Sequence, residues 1–301
     1  MRFHGNAGGP RLTRPSPPLP IRPPPRYRVR HMPSDSRHDV LGVRVDDMTL
    51  SAVRERLRAW LSSDAFHAVF TPNPEIVLRA RRDAAFRRAL NGADLLVPDG
   101  VGLAYGVAAL TGGRLAHRHA GVDVLEEIAA LCAREGKRLM LFGGLPGSAA
   151  AAAVALRGRY PALDVAAREA GPVVATADVV ATAPGDVDAI RAQAPAALAV
   201  ALGAGKQERF IEQARASLPS VRAAIGVGGA LEMLAGRLPR APRGMRRLGL
   251  EWAWRLALEP GRARRILRAV VVFPAAVIWA TLKRHRFLRA CVDVSRVLFR
   301  V

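Results

Sequence analysis

Three kinds of chemistry-bearing residue recur at identifiable places in this chain: carboxylates able to take a proton, neutral polar groups able to give and accept hydrogen bonds, and arginines able to neutralise an anion. Thr71-Pro72-Asn73-Pro74-Glu75 puts a hydroxyl, an amide and a carboxylate into one turn after the apolar pair Val69-Phe70. Pro72 and Pro74 stiffen that turn, and Glu75 falls in the first turn of the helix that follows. Pro98-Asp99-Gly100 follows the apolar run Leu95-Leu96-Val97, which predicts an acid at the carboxyl end of a strand. Helix capping and local turn bonds are the ordinary alternative at both places, because Asn and Asp serve both.

Four glycine turns accompany them. Phe142-Gly143-Gly144-Leu145-Pro146-Gly147-Ser148 lies between an apolar run and an alanine-rich helical stretch. Glycines in such a place let backbone amides approach a phosphate at a helix N-terminus. Gly100-Val101-Gly102 and Gly226-Val227-Gly228-Gly229 are similar but imperfect. None has the spacing of a Walker loop or of a dinucleotide fingerprint, which disfavours a nicotinamide-linked oxidoreductase. Leu202-Gly203-Ala204-Gly205-Lys206-Gln207-Glu208 adds Gln207, whose amide supplies two donors and an acceptor for a base or sugar.

The elements that must position these groups follow from periodicity. Strands are predicted over residues 40–45, 68–71, 95–98, 138–142, 163–167, 198–202 and 223–227. Between them, apolar residues at i, i+3 and i+4 predict helices over 50–61, 75–90, 122–134 and 207–218. This alternation predicts an α/β, Rossmann-like, mostly parallel sheet with helices on both faces. Ligands of such sheets bind outside the carboxyl ends of the strands, where the turns above fall.

Charge divides the chain of 301 residues. Residues 1–38 carry 8 basic and 1 acidic side chains, residues 39–236 carry 22 and 21, and residues 237–301 carry 16 and 3. A near-neutral body with basic ends suits a polyanionic partner, either nucleic acid or an anionic membrane surface. Residues 1–33 hold nine of the 22 prolines, which predicts a disordered Pro/Arg-rich segment over 1–38 and no apolar core of the signal-peptide kind. A catalytic domain is expected over 39–244 and a basic helical membrane-associating appendage over 245–301. The 14 uncharged residues 269–282 would rise about 21 Å as a helix, short of a ~30 Å hydrocarbon core. Pro274 is expected to interrupt that helix, and the flanking cations suit a segment lying in the interface rather than spanning it.

Metal sites are not expected. Asp186-Val187-Asp188 has the D-x-D pattern of metal-dependent transferases but precedes a helical stretch and reads as a cap. His117 and His119 flank Arg118 with no third ligand nearby. Two cysteines, Cys132 and Cys291, are too few for a disulfide framework.

Taken in order, these motifs resemble the WecG/TagA/CpsF glycosyltransferase family over about residues 39–268. The resemblance runs through Thr71 to Glu75, Ala93-Asp94, Pro98-Asp99-Gly100, Arg118-x-x-Gly121-x-Asp123, Phe142-Gly143-Gly144 and Tyr160-Pro161. It continues with Gly203-x-x-Lys206-Gln207-Glu208, Arg240-Ala241-Pro242, Leu248-Gly249-Leu250-Glu251-Trp252-x-x-Arg255-Leu256 and Glu259-Pro260-x-Arg262. Gly205 stands where the family usually has proline, and Leu231-Glu232 where it usually has Phe-Asp.

The resemblance implies inverting transfer of N-acetylmannosamine, its uronic acid or a related hexose from a UDP donor. The implied acceptor is a polyprenyl-diphosphate-linked sugar at the inner face of the cell membrane, in cell-surface polysaccharide synthesis. It implies Asp99 as the base, with Glu75 as its rival, and gives Arg255, Arg262 and Arg265 the departing diphosphate. Spacings of seven and three would align those arginines on one helical face unless Pro260 breaks the helix. Thr71, Asn73, Arg118, Asp123, Gly143, Gly144, Gln207 and Glu208 are the expected substrate-binding residues, with no cofactor. The expected partners are the UDP-sugar, the lipid-linked acceptor and an anionic membrane surface. A homo-oligomer is left open. Nucleic acid is not expected, because the basic tail lacks interleaved aromatics; a nucleic-acid-binding or scaffolding protein is the alternative reading.

Overall fold

A computed structural model describes residues 36–176 and 179–298. The predicted disorder of residues 1–38 falls outside them up to residue 35, but residues 36–38 belong to strand β1 (Ser36–Val40). The strand expected over 40–45 is instead the bend of an antiparallel hairpin between β1 and β2 (Val43–Asp47). Leu41 and Gly42 turn the chain there with positive φ, and the Asp39 carboxylate accepts from the Gly42 amide at 3.0 Å.

Six parallel strands form the main sheet in the order β4-β3-β10-β9-β5-β6. They are β3 (His67–Phe70), β4 (Leu95–Leu96), β5 (Leu139–Gly143), β6 (Val165–Arg168), β9 (Ala197–Ala201) and β10 (Ala223–Gly226). A small hairpin, β7 (Val174–Ala175) with β8 (Val180–Ala181), was not foreseen. Side chains alternate along each strand, and both faces are apolar. Phe70, Leu96, Phe142, Leu198 and Val200 fill one core, while Val69, Leu95, Leu141, Ala199 and Ile225 fill the other.

Helices α1 (Leu50–Leu61), α5 (Gly121–Glu135), α6 (Ser148–Arg159) and α9 (Ala230–Leu234) contribute to the second core. Helices α2 (Pro74–Arg82), α3 (Ala84–Asn91), α4 (Val101–Thr111), α7 (Asp186–Ala192) and α8 (Lys206–Ala214) contribute to the first. The helix expected over 75–90 breaks at Asp83, whose extended backbone ends α2 and whose carboxylate accepts from the Phe86 amide to cap α3. The helix expected over 207–218 ends at Ala214 and tightens into a 3-10 turn.

The carboxyl-terminal part is α10 (Arg243–Arg247), α11 (Glu251–Leu258), α12 (Ala263–Leu267), α13 (Phe273–Lys283) and α14 (Phe287–Leu298). Pro274 does not interrupt its helix. A π-helical turn, Arg268–Val272, precedes α13 and takes up the position where the proline has no amide to give. The resulting helical run Pro260–Lys283 is, by length and composition, long and apolar enough to cross a membrane. One face of α13 is nonetheless committed to the body. Phe273, 2% exposed, sits over Gly106 of α4, where an added Cβ would stand 3.0 Å from its ring, and Val277 and Thr281 are buried below it.

Candidate active site

Strand ends bring the sequence-predicted residues together. The Asp99 amide donates to the Pro72 carbonyl at 2.8 Å, joining the turn after β4 to the turn after β3. Asn73 caps α2 by accepting from the Ile76 amide, which fixes the Thr71–Asn73 turn. Thr71 faces Gly121 at the start of α5, where a Cβ would lie 3.1 Å from its hydroxyl, closer than an ordinary contact.

Asp99 is partly exposed, yet its carboxyl is pushed up to about 7. Removal from water is the main cause, Glu251 and Asp123 push the same way, and Arg255 and Arg240 pull against them. A carboxylate so placed is half ionised near neutral pH and accepts a proton readily there. Asp123 itself is committed: Arg240 grips it through two bonds of 2.6 Å.

The loop between α4 and α5, which holds Arg118, is pinned beside the Asp99 turn through its neighbours His117 and His119. Asp47, at the end of β2, accepts from the Ala116 and His117 amides and from the His117 ring. The His119 amide reaches the Pro98 carbonyl beside Asp99, and its ring bonds the Met48 carbonyl. Arg118 makes no ion pair among the described residues.

Gln207 and Glu208 turn inward. The Gln207 amide oxygen accepts from Gly228 at 2.9 Å, and its nitrogen donates to Glu208. Gly226 makes room, since a Cβ there would stand 2.8 Å from that nitrogen. Glu208 accepts from the Gly205 amide, and burial raises its pKa. This pair stitches the turns after β9 and β10 together, a packing role that the spacing alone did not reveal. The turn after β5 also differs from expectation: its Gly144, Leu145 and Gly147 amides are taken by Ala201, Glu232 and Glu169. Gly143 and Gly144 have φ of +93° and +85°, and a Cβ on Gly143 would meet the Ala201 carbonyl at 2.9 Å. They contribute shape and close approach rather than free amides.

Sequence reasoning missed Glu232 as a site residue. It is 8% exposed, with one oxygen on the Leu145 amide at 2.9 Å. The other oxygen is buried without a partner, among the glycine turns, 3.7 Å from where a Gly229 Cβ would be. An orphaned buried acceptor is expensive unless a ligand donor meets it. Its signal was the Gly-Gly-Ala-Leu-Glu run after β10.

The carboxyl-terminal arginines do not lie along one helix, because α11 ends at Leu258 and Pro260 opens a 3-10 turn before α12. Arg255 stands near Asp99 and 3.6 Å from the Met233 sulfur. Arg262 pairs with Glu259 at 2.8 Å and extends toward Gly229, while Arg265 grips Glu75. The D-x-D carboxylates are engaged elsewhere: Asp186 lies one position inside α7 rather than capping it, and holds Arg168 and the Gly171 amide, while Asp188 holds Arg191. Among the described residues no group of three or more His, Cys, Asp or Glu is placed to hold a metal ion.

A parallel α/β sheet whose carboxyl-end turns gather this carboxylate, these glycines and these arginines belongs with the glycosyltransferases. Residues 38–287 match the family model described as Glycosyl transferase WecG/TagA/CpsF family, and the chain belongs to that family. Three similar relatives share the name N-acetylglucosaminyldiphosphoundecaprenol N-acetyl-beta-D-mannosaminyltransferase. The one from Bacillus subtilis (strain 168) is 33% identical over 66% of this chain and 74% of its own length. That of Bacillus spizizenii is 30% identical over 74% and 83%, and that of Staphylococcus aureus (strain NCTC 8325 / PS 47) 29% identical over 81% and 93%.

Proposed function

We propose that this glycosyltransferase moves N-acetylmannosamine, or a closely related hexose, from a UDP donor onto a polyprenyl-diphosphate-linked sugar, with inversion, in cell-surface polysaccharide synthesis. The relatives' names supply both halves of the reading: an N-acetylglucosaminyldiphosphoundecaprenol acceptor and an N-acetyl-beta-D-mannosaminyl group. The observation that carries it is Asp99 in the turn after β4, tied by its amide to the Pro72 carbonyl beside Asn73 and within electrostatic reach of Arg255 and Arg240.

In this mechanism Asp99 takes the proton of the acceptor hydroxyl as that oxygen attacks the anomeric carbon. The bond to the diphosphate breaks, and the negative charge on the leaving UDP is met by Arg255, Arg262 and Arg265, with Arg118 near the acceptor. One base and one displacement invert the anomeric centre. Thr71 and the amide nitrogen of Asn73 face sugar hydroxyl and N-acetyl groups, and the orphaned Glu232 oxygen accepts from a ribose hydroxyl or the uracil N–H.

The protein works at the inner face of the membrane, resting on it through the carboxyl-terminal helices. Trp279, 57% exposed, Val271 and Leu282 point outward beside Arg268, Lys283 and Arg284. Because Phe273, Val277 and Thr281 bind α13 to the body, the segment lies in the interface instead of crossing it. Incubation with a panel of UDP-sugars and a short-chain lipid diphosphate acceptor tests the reading: one UDP-hexosamine should give a glycosylated lipid, and folded protein that transfers none would refute it.

A further inference from the structure

We propose that Glu75 is a positioning residue for Arg265: it grips one edge of the guanidinium so that the opposite edge is presented to the departing diphosphate. The inference rests on the reading above, in which Arg265 serves the leaving group.

Arg265 donates from Nε to both Glu75 oxygens at 2.9 and 3.1 Å, and from Nη2 to one of them at 3.0 Å. A guanidinium carries five N–H donors in a rigid fork. The Nε–Nη2 edge is taken by Glu75, so the two Nη1 donors keep a defined direction and no partner in that pair. Glu75 is itself well fixed. It stands in the first turn of α2, two residues after the Asn73 cap, on a helix whose Ile76, Val77 and Leu78 are buried.

Arg265 has no such support from its own element. Helices α11 and α12 and the turns beside them bury no residue, and the first deep anchor after Ala241 is Phe273. Among the described residues, Glu75–Arg265 is the ion pair tying residues 242–272 to the rest of the fold. An exposed pair of this kind contributes ~0–1 kcal/mol to stability, too little to be its purpose as a brace. Orientation is what a two-pronged carboxylate–guanidinium contact adds beyond energy. Both Glu75 oxygens are occupied by Arg265, which also argues against Glu75 as the base.

A double-mutant cycle on the full chain, assayed with a UDP-sugar and a short-chain lipid diphosphate, tests this. Glu75→Gln and Arg265→Gln should each lower kcat ~10–100-fold with acceptor KM nearly unchanged. The double variant should be no worse than Arg265→Gln within about twofold, as for two residues acting through one contact. Arg265→Lys, which keeps the charge but loses the fork, should resemble Arg265→Gln. The midpoint of the pH–rate profile should not move in Glu75→Gln. Wild-type turnover in Glu75→Gln, multiplicative losses in the double variant, or a shifted midpoint would overturn the proposal. So would an unfolded Glu75→Gln, since that would make the pair a structural brace. If the wild type transfers sugar and Asp99→Asn does not, these outcomes bear on Glu75 alone. Absence of transfer by the wild type would instead strike the functional reading.

Discussion

Replacing the Asp99 carboxylate by an amide keeps the side chain's shape and removes its ability to take a proton. Asp99→Asn is expected to lower kcat by ~10²–10⁴ with the fold intact. In the wild type kcat should climb with pH and level off above the raised value of about 7, because only the ionised form is a base. The same displacement has a stability consequence of opposite sense. The folded-state value lies above that of the unfolded chain, so the unionised group costs nothing at pH 4, and the folded state loses stability as pH rises through 7. Asp99→Asn should therefore melt higher than the wild type at pH 8.5 and equally at pH 4. The gain is on the order of 2 kcal/mol once solvent screening at a partly exposed group is allowed for. Thermal melts at the two pH values check it; equal gains at both would contradict the assignment. Glu232→Gln keeps the bond to Leu145 through its amide oxygen but puts an NH2 donor where the orphaned acceptor stands. It should weaken UDP binding by about tenfold in calorimetry, equivalent to ~1.4 kcal/mol.

At the level of elements, the contact of α13 with α4 joins the basic helices to the sheet. Phe273 fills the notch left by Gly106, touching Gly102 as well. Phe273→Ala should cost ~3–5 kcal/mol and lower the melting midpoint by roughly 10 °C, because a large buried ring leaves a cavity. Activity at moderate temperature should fall as well, since Arg255, Arg262 and Arg265 lie on the chain between the notch and the strand-end turns. An Asp99-like pH profile retained at reduced amplitude would match that account. The helix break at Pro260 matters for the same reason: it sends Arg262 toward Gly229 and Arg265 toward Glu75 instead of stacking them on one stripe.

For the whole molecule, the net charge of +21 and the outward row of Val271, Trp279 and Leu282 lead to a membrane prediction. The protein should bind anionic liposomes, bind neutral ones weakly, and release from the former as salt rises, with each basic residue near the surface contributing ~1 kcal/mol. Removing residues beyond 244 should give a more soluble and much less active chain; co-sedimentation and turnover measure the two effects. Activity should also survive EDTA, since the proposed mechanism gives the charge of the leaving diphosphate to arginines and the D-x-D carboxylates are bound to Arg168 and Arg191. Loss in EDTA restored by Mg²⁺ or Mn²⁺ would overturn that.

Much of the framework was legible in the residues themselves. Strand periodicity with both faces apolar, the glycine punctuation and the ordered motifs from Thr71 to Arg262 depend on neighbours in sequence, and they led to the parallel sheet and the family. The hairpin at Leu41-Gly42, the break at Asp83 and the π turn before Pro274 escaped, because each is a local choice settled by what packs against it. The site's electrostatics lay further out of reach. Asp99 is raised first by its removal from water and then adjusted by Glu251, Arg255, Asp123 and Arg240, which approach from 24 to 156 residues away, counting 123 and 255 against 99. Glu75 meets Arg265 across 190 residues, and Glu232 closes on Leu145 across 87. Spacing along the chain can nominate such groups; their burial and partners exist only once the strands are laid side by side, because solvation and charge act through space.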